Sequence, residues 1–316
     1  MRTNKSGFQI TRTTLAVFVL LLVFLTTLTV FSYRTVMDIE MPFSPFAGAS
    51  TKTDVSGKKE VVHVGVVSRY PPAVIYQGYQ PIMDYLTQNS EYTFELRLSS
   101  SYHETVQQLV RGEVTAAFLG SVVYARERKN AGLQCILKPL GEDGEAWSHT
   151  VLVALTESPI QNLADLRGKK VALPSQDSYS GIWLPSFLLP EHGIRDQELA
   201  SLHHFLHHQT VVFQVLKGNY DAGVVKESIA EEFLPRGLRI LFRSQPIPTS
   251  PLVTTKKCDP NIVRSIQEAL LRIDVRLPDH KEMVARWDKD LANGFTVATD
   301  RDYDALATLL NNARVR

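Results

Sequence analysis

From residue 61 onward the chain alternates short apolar runs with segments whose apolar residues recur at helical spacing, and that alternation leaves few folds open. Glu60-Val61-Val62-His63-Val64-Gly65-Val66-Val67 reads as a buried strand and Gln80-Pro81-Ile82-Met83-Asp84-Tyr85-Leu86 as a helix. Tyr92-Thr93-Phe94-Glu95-Leu96-Arg97-Leu98 alternates as a strand does. Ser101-Tyr102-His103-Glu104 has the spacing of a capping box ahead of a helix at 106–110. Residues 114–120 then form a short strand, with Ser121 opening the next helix. The scheme repeats, with strands expected at 150–155, 171–173, 220–225, 239–242 and 252–255. Helices are expected at 163–168, 211–217, 260–277 and 302–312. Strands interleaved with helices predict an α/β protein, and two such series fit two α/β lobes with a cleft between them.

The N-terminus does not join that globule. Arg2, Lys5 and Arg12 precede Leu15-Ala16-Val17-Phe18-Val19-Leu20-Leu21-Leu22-Val23-Phe24-Leu25, and apolar character persists to Phe31. Roughly 20 uncharged residues can span a bilayer as one transmembrane helix. The basic flank places its N-terminal side in the cytoplasm. We expect 1–37 to be a cytoplasmic stub and signal anchor. A cleaved signal peptide is the rival, but Thr29-Val30-Phe31-Ser32-Tyr33 lacks its small-x-small site, and no cysteine is placed for a lipid anchor. Residues 38–59, with Pro42, Pro45 and Gly48, lack either period and read as a linker. The expected location is the inner (cytoplasmic) membrane, single-pass, with the globule in the periplasm or extracytoplasmic space.

Composition removes several function classes. With 34 basic and 33 acidic residues the formal charge is +1, too small a field to steer nucleic acid. Cys135 and Cys258 could pair in an oxidising compartment, but two buried free thiols are the better reading, and a cysteine zinc cluster is excluded by count. No Gly-x-Ser-x-Gly elbow or glycine-rich nucleotide loop is present, so neither an enzyme nor a cofactor is expected.

Ser178-Tyr179-Ser180-Gly181 follows the strand-like Lys169-Lys170-Val171-Ala172-Leu173-Pro174 and opens the apolar Ile182-Trp183-Leu184-Pro185-Ser186-Phe187-Leu188-Leu189. Free backbone N–H groups at a helix start, flanked by hydroxyls, suit an oxyanion. The same residues also suit an ordinary serine N-cap. In His203-His204-Phe205-Leu206-His207-His208, a helical conformation would create i,i+4 pairs His203/His207 and His204/His208 able to hold a metal. No carboxylate or cysteine stands beside them, so surface histidines with one cleft histidine is the preferred reading and no metal is expected. Trp147 and His149 precede the strand at 150–155 and could line a cleft, though Trp147 could equally be packing.

Taken in order, several segments resemble the substrate-binding component of phosphate, phosphite and phosphonate ABC transporters, which are type 2 periplasmic binding proteins. They are Tyr79-Gln80-Pro81-Ile82-Met83-Asp84-Tyr85-Leu86, Phe118-Leu119-Gly120-Ser121, Leu163-Ala164-Asp165-Leu166-Arg167-Gly168-Lys169-Lys170-Val171-Ala172 and Ser178-Tyr179-Ser180-Gly181. Val215-Leu216-Lys217-Gly218-Asn219-Tyr220-Asp221-Ala222-Gly223-Val224 and Ile247-Pro248-Thr249-Ser250-Pro251-Leu252-Val253 continue the series.

The resemblance implies a ligand held between two lobes, each a mixed sheet flanked by helices, joined by two crossing strands near 151–155 and 248–254. Lobe one would be 60–153 plus 249–316, and lobe two 154–248. It also implies ligand-binding roles for Tyr102, Ser121, Ser178, Tyr179, Ser180 and His208, with Tyr179 standing where the family carries a small residue. Ser228 and Ser250 fall where amine-selecting relatives carry acids, although Glu227 is adjacent, which favours a smaller or neutral-tailed anion. The implied partner is an ABC permease; a membrane sensor kinase or cyclase reading the liganded form is the alternative.

Overall fold

The computed structural model describes residues 59–314 together with Leu21, Thr26 and Thr27. Apart from those three and Lys59, the expected anchor at 1–37 and linker at 38–59 lie outside the described residues. Among the described residues no helix is long and apolar enough to cross a membrane.

The chain begins with β1 (Val61–Val66), α1 (Pro72–Gln88), β2 (Thr93–Leu98), α2 (Tyr102–Val110), β3 (Ala116–Phe118), α3 (Ser121–Glu127) and β4 (Leu133–Pro139). A two-residue strand, β5 (Trp147–Ser148), precedes β6 (Thr150–Leu155), β7 (Lys170–Leu173) and α4 (Tyr179–Trp183). Helical backbone continues through a π turn (Leu184–Leu188) into α5 (Leu189–Glu191). Then come β8 (Ser201–His204), α6 (His208–Leu216), β9 (Ala222–Lys226), α7 (Glu227–Glu231) and β10 (Leu238–Arg243). The chain closes with β11 (Ile247–Pro248), β12 (Leu252–Thr255), α8 (Pro260–Leu271), α9 (Pro278–Val284), β13 (Phe295–Val297) and α10 (Asp304–Arg314).

These strands form two mixed sheets, ordered β13-β4-β12-β3-β1-β2 and β10-β6-β9-β7-β8, one in each lobe. The parallel strands β1, β2 and β3 meet antiparallel β12 in the first, and parallel β7, β8 and β9 meet antiparallel β6 in the second. Residues 151–154 of β6 are all inaccessible, as a central strand covered on both faces should be, while Val62, Val64 and Val66 of β1 bury one face.

Between the lobes, β11 pairs antiparallel with β5, Ile247 opposite Ser148 and Pro248 opposite Trp147. The first crossing, expected at 151–155, therefore lies earlier, at Trp147–Ser148. β6 is hydrogen-bonded on both edges, to β9 and β10, and so belongs wholly to the second sheet. Residues 150–153, placed in lobe one from the sequence, move to lobe two.

α1 starts eight residues before the helix read at 80–86. Pro81, which a local reading puts at a first turn, sits mid-helix. Packing decides the matter, because Ile75, Tyr79, Ile82, Met83 and Leu86 bury one stripe, each contributing roughly 1.5–3 kcal/mol. At α2 the expected cap forms in a shifted version. Ser101 accepts the Glu104 N–H at 3.1 Å, while the Glu104 carboxylate turns back to Ser100 rather than to Ser101. Cys135 and Cys258 are free thiols; Cys135 is buried, but Cys258 is partly exposed in the turn after β12 instead of buried as expected.

Candidate binding site

In the first sheet the chain goes from β1 to β2 on one side and then crosses to β3 on the other side of β1. In the second it goes from β7 to β8 and crosses back to β9. Each reversal leaves a crevice at the carboxyl ends of parallel strands, where loops depart to opposite faces. The two crevices face each other across the β5–β11 ribbon. Loops after β1 and β3 and after β7 and β9 converge on one cavity of about 60 Å³. At about 10–15 Å³ per water-sized sphere it has room for a handful of heavy atoms.

All six site residues expected from the sequence border this cavity: Tyr102, Ser121, Ser178, Tyr179, Ser180 and His208. Their hydroxyls are not equally free. Ser178 caps α4: its Oγ accepts the Gly181 N–H at 3.1 Å and donates to the Ser175 carbonyl at 2.8 Å, so the N-cap reading holds for its side chain. Gly181 is required here, because a Cβ on it would stand 2.0 Å from the Ser175 carbonyl oxygen. Ser180 Oγ lies 2.7 Å from Thr150 Oγ1 of β6; one of the two protons makes that bond and the other remains to donate. Ser121 Oγ donates to the Pro248 carbonyl at 2.7 Å, tying the start of α3 to the ribbon.

The Tyr102 ring packs against Gly120, and its hydroxyl makes no hydrogen bond among the described residues. Burial raises its pKa, so the phenol keeps its proton. Tyr179 lies against Phe187 with ring centroids 6.0 Å apart, and burial pushes its pKa up to about 12. His208, at the start of α6, accepts the Lys226 backbone N–H on Nδ1 at 3.4 Å, which leaves the proton on Nε2. Burial, reinforced by the cations of Arg69 and Lys226, lowers its pKa to about 3. His208 is thus a neutral donor. Gly223 of β9 lets α6 seat closely, since a Cβ there would meet Val211 at 2.7 Å.

The sequence did not point to the charged side of the cavity. Arg69, in the turn after β1, and Lys226, at the end of β9, both line it. Arg69 Nη1 donates to Asp290 at 2.6 Å, and Nη2 to Asp288 at 2.6 Å and to the Tyr79 hydroxyl at 2.9 Å. Lys226 Nζ reaches Asp290 at 2.7 Å, and Ser228 Oγ donates to the same carboxylate at 2.9 Å. Burial opposes ionisation of Asp290, but Lys226 and Arg69 outweigh it and hold its pKa well below the usual carboxylate range. The one available signal was an arginine shortly after a buried strand; its carboxylate partners lie about 220 residues further on.

The histidine run is not a helix. His203 and His204 lie on β8 and His207 precedes α6, so the i,i+4 pairs do not form. Among the described residues no cluster suited to a metal ion exists. A wider recess of about 510 Å³ adjoins the cavity and shares Ser148, His149 and Lys226 with it. Trp147 borders this recess and His149 borders both spaces. Ser250 lines the small cavity; Ser228 lines the recess, where Glu227 is ion-paired with Arg243 and Glu232 with Lys289.

Two α/β lobes with opposed crevices, hinged by a two-strand ribbon around a small donor-lined cavity, define a solute-binding protein of the periplasmic type. Residues 64–303 match the family model for periplasmic substrate-binding proteins of phosphonate ABC transporters, and the chain belongs to that family. It is 22% identical over 280 residues to the phosphate-import protein PhnD of Mycolicibacterium smegmatis, covering 80% of this chain and 86% of that one. Its fold is similar to the binding-protein component of an ABC phosphonate transporter from Pseudomonas aeruginosa (TM-score 0.71, 15% identity, 81% and 87% of the two chains). It is likewise similar to PhnD1 of Prochlorococcus marinus in complex with methylphosphonate (TM-score 0.71, 16% identity, 81% and 99%). Members of this family are substrate-binding components of transporters rather than enzymes.

Proposed function

We propose that this protein captures a small phosphorus oxyanion (phosphate, phosphite or a short phosphonate) between its lobes and delivers it to an ABC permease. The observation that carries the reading is the convergence of Tyr102, Ser180, His208 and the start of α4 on one small cavity of about 60 Å³. His208 and Tyr102 donate without changing charge, and the start of the helical stretch at 179–191 adds main-chain N–H groups. The anion would bridge both lobes and favour their closed arrangement through contacts available only there. An M. smegmatis relative that imports phosphate and a P. marinus neighbour holding methylphosphonate agree with this ligand class. Tethering of the globule to the membrane through 1–37 belongs to the same proposal and rests on the apolar run and its basic flank.

Titration calorimetry of the full-length protein with phosphate, phosphite, methylphosphonate and 2-aminoethylphosphonate tests the reading. Binding of at least one of the first three is expected. A folded protein that takes up none of the four rejects the ligand class.

A further inference from the structure

Two consecutive residues in the turn after β1, Ser68 and Arg69, carry buried polar atoms that no group among the described residues satisfies. Ser68 is 5% exposed and Arg69 7% exposed. Ser68 Oγ and Arg69 Nε have no hydrogen-bond partner among the described residues. Buried donors left unpaired are rare and call for an explanation, the more so when one belongs to a cation.

The turn itself is held from several sides. The Ser68 carbonyl accepts from His207 Nδ1 at 3.2 Å, a bond that comes from lobe two. Arg69 is pinned through both terminal nitrogens by Asp288, Asp290 and Tyr79, and Asp290 is in turn held by Lys226 and Ser228 from lobe two. Every contact that positions this turn leaves Ser68 Oγ and Arg69 Nε unused. The turn lies at the carboxyl end of β1, on one side of the first lobe's crevice, and Val67 and Arg69 border the small cavity.

We infer that Ser68 and Arg69 form a further anion-binding arm: Arg69 gives the guest a charged contact through Nε–H, and Ser68 Oγ adds a second donor. The inference rests on the proposed oxyanion ligand and deepens it. Asp288 and Asp290 then have a positioning role. They hold both terminal nitrogens by hydrogen bonds in the guanidinium plane, and Nε–H is left without a partner among the described residues. A fully charged oxygen on the guest gains most from such a contact, because a charge-assisted bond in a dry site is about twice as strong as a neutral one.

Two measurements decide it. The first follows the Arg Nε–Hε cross-peaks of the full-length protein by ¹H–¹⁵N NMR during titration with inorganic phosphate, with Arg69 assigned as the peak missing from Arg69→Lys. The Arg69 peak is expected to move together with the Gly181 amide. The second compares calorimetric affinities of wild type, Arg69→Lys and Ser68→Ala for phosphate and methylphosphonate, with thermal unfolding as a check on the fold. Arg69→Lys keeps the charge but lacks Nε, and should bind ~10- to 100-fold more weakly; Ser68→Ala should lose about threefold to tenfold. An Arg69 peak that stays fixed while Gly181 shifts, or folded variants that both bind within twofold of wild type, overturns the arm and leaves the ligand reading standing. A wild-type protein silent to both anions overturns the two together.

Discussion

Lys226 Nζ sits 2.7 Å from Asp290 Oδ2, joining the end of β9 in the second sheet to the segment between α9 and β13 that packs with the first. Both side chains are largely buried, at 17% and 7% exposure. Asp290 also accepts from Arg69 and Ser228, so one carboxylate ties groups from both lobes beside the cavity.

Asp290→Asn should accordingly be costly. It leaves Arg69 and Lys226 without their shared counter-charge, and breaking a buried pair on one side typically costs about 3–5 kcal/mol. Urea denaturation at pH 7 measures this; a loss below about 1 kcal/mol would show that the link is immaterial. Because the Asp290 pKa is lowered in the fold, its contribution is complete above the ordinary carboxylate range and disappears only as pH falls below it.

His208 makes the opposite end of the acid response. Its pKa is near 6.5 unfolded and about 3 folded, so the unfolded chain takes up a proton first as pH falls. Stability is fully present above pH 6.5 and declines toward pH 3. By pH 5 this one residue should have withdrawn about 2 kcal/mol. Denaturation of wild type and His208→Gln at pH 7 and pH 5 isolates the effect, and an equal acid response in both proteins contradicts it.

Tyr102→Phe separates binding from folding. The hydroxyl makes no bond to the described protein, so its removal should leave the unfolding temperature within about 1 °C while weakening phosphate binding roughly threefold to tenfold. Unchanged affinity in calorimetry would remove Tyr102 from the site.

Gly181→Ala should damage fold and site together. The added methyl would lie 2.0 Å from the Ser175 carbonyl oxygen, and backbone on both sides must move. We expect at least about 2 kcal/mol of destabilisation and loss of anion binding, read by thermal unfolding and calorimetry. A variant as stable as wild type would mean that the 174–181 turn is more yielding than its geometry implies.

What the sequence disclosed follows from how local each signal is. Ser178 to Gly181 announces itself within one turn of chain, and Ser101 with Glu104 marks the helix that carries Tyr102. Arg69 and Lys226 gave no such sign, because their role depends on strand order and on Asp288 and Asp290, more than 200 and more than 60 residues away respectively. The hinge was misplaced by a few residues for a related reason. Trp147–Ser148 is too short for any periodicity to register, whereas the strongly apolar run at 150–155 draws the eye although it is buried in one lobe's sheet. The helical alignment of the histidines failed because parallel pairing with β7 holds His203 and His204 extended.

The most direct test is a crystal structure of the protein grown with methylphosphonate. The account predicts a single anion in the small cavity, its oxygens within hydrogen-bond distance of His208 Nε2, the Tyr102 hydroxyl and amides at the start of α4. A folded protein with that cavity empty of the anion, or with the anion seated only in the larger recess beside Trp147, would contradict it.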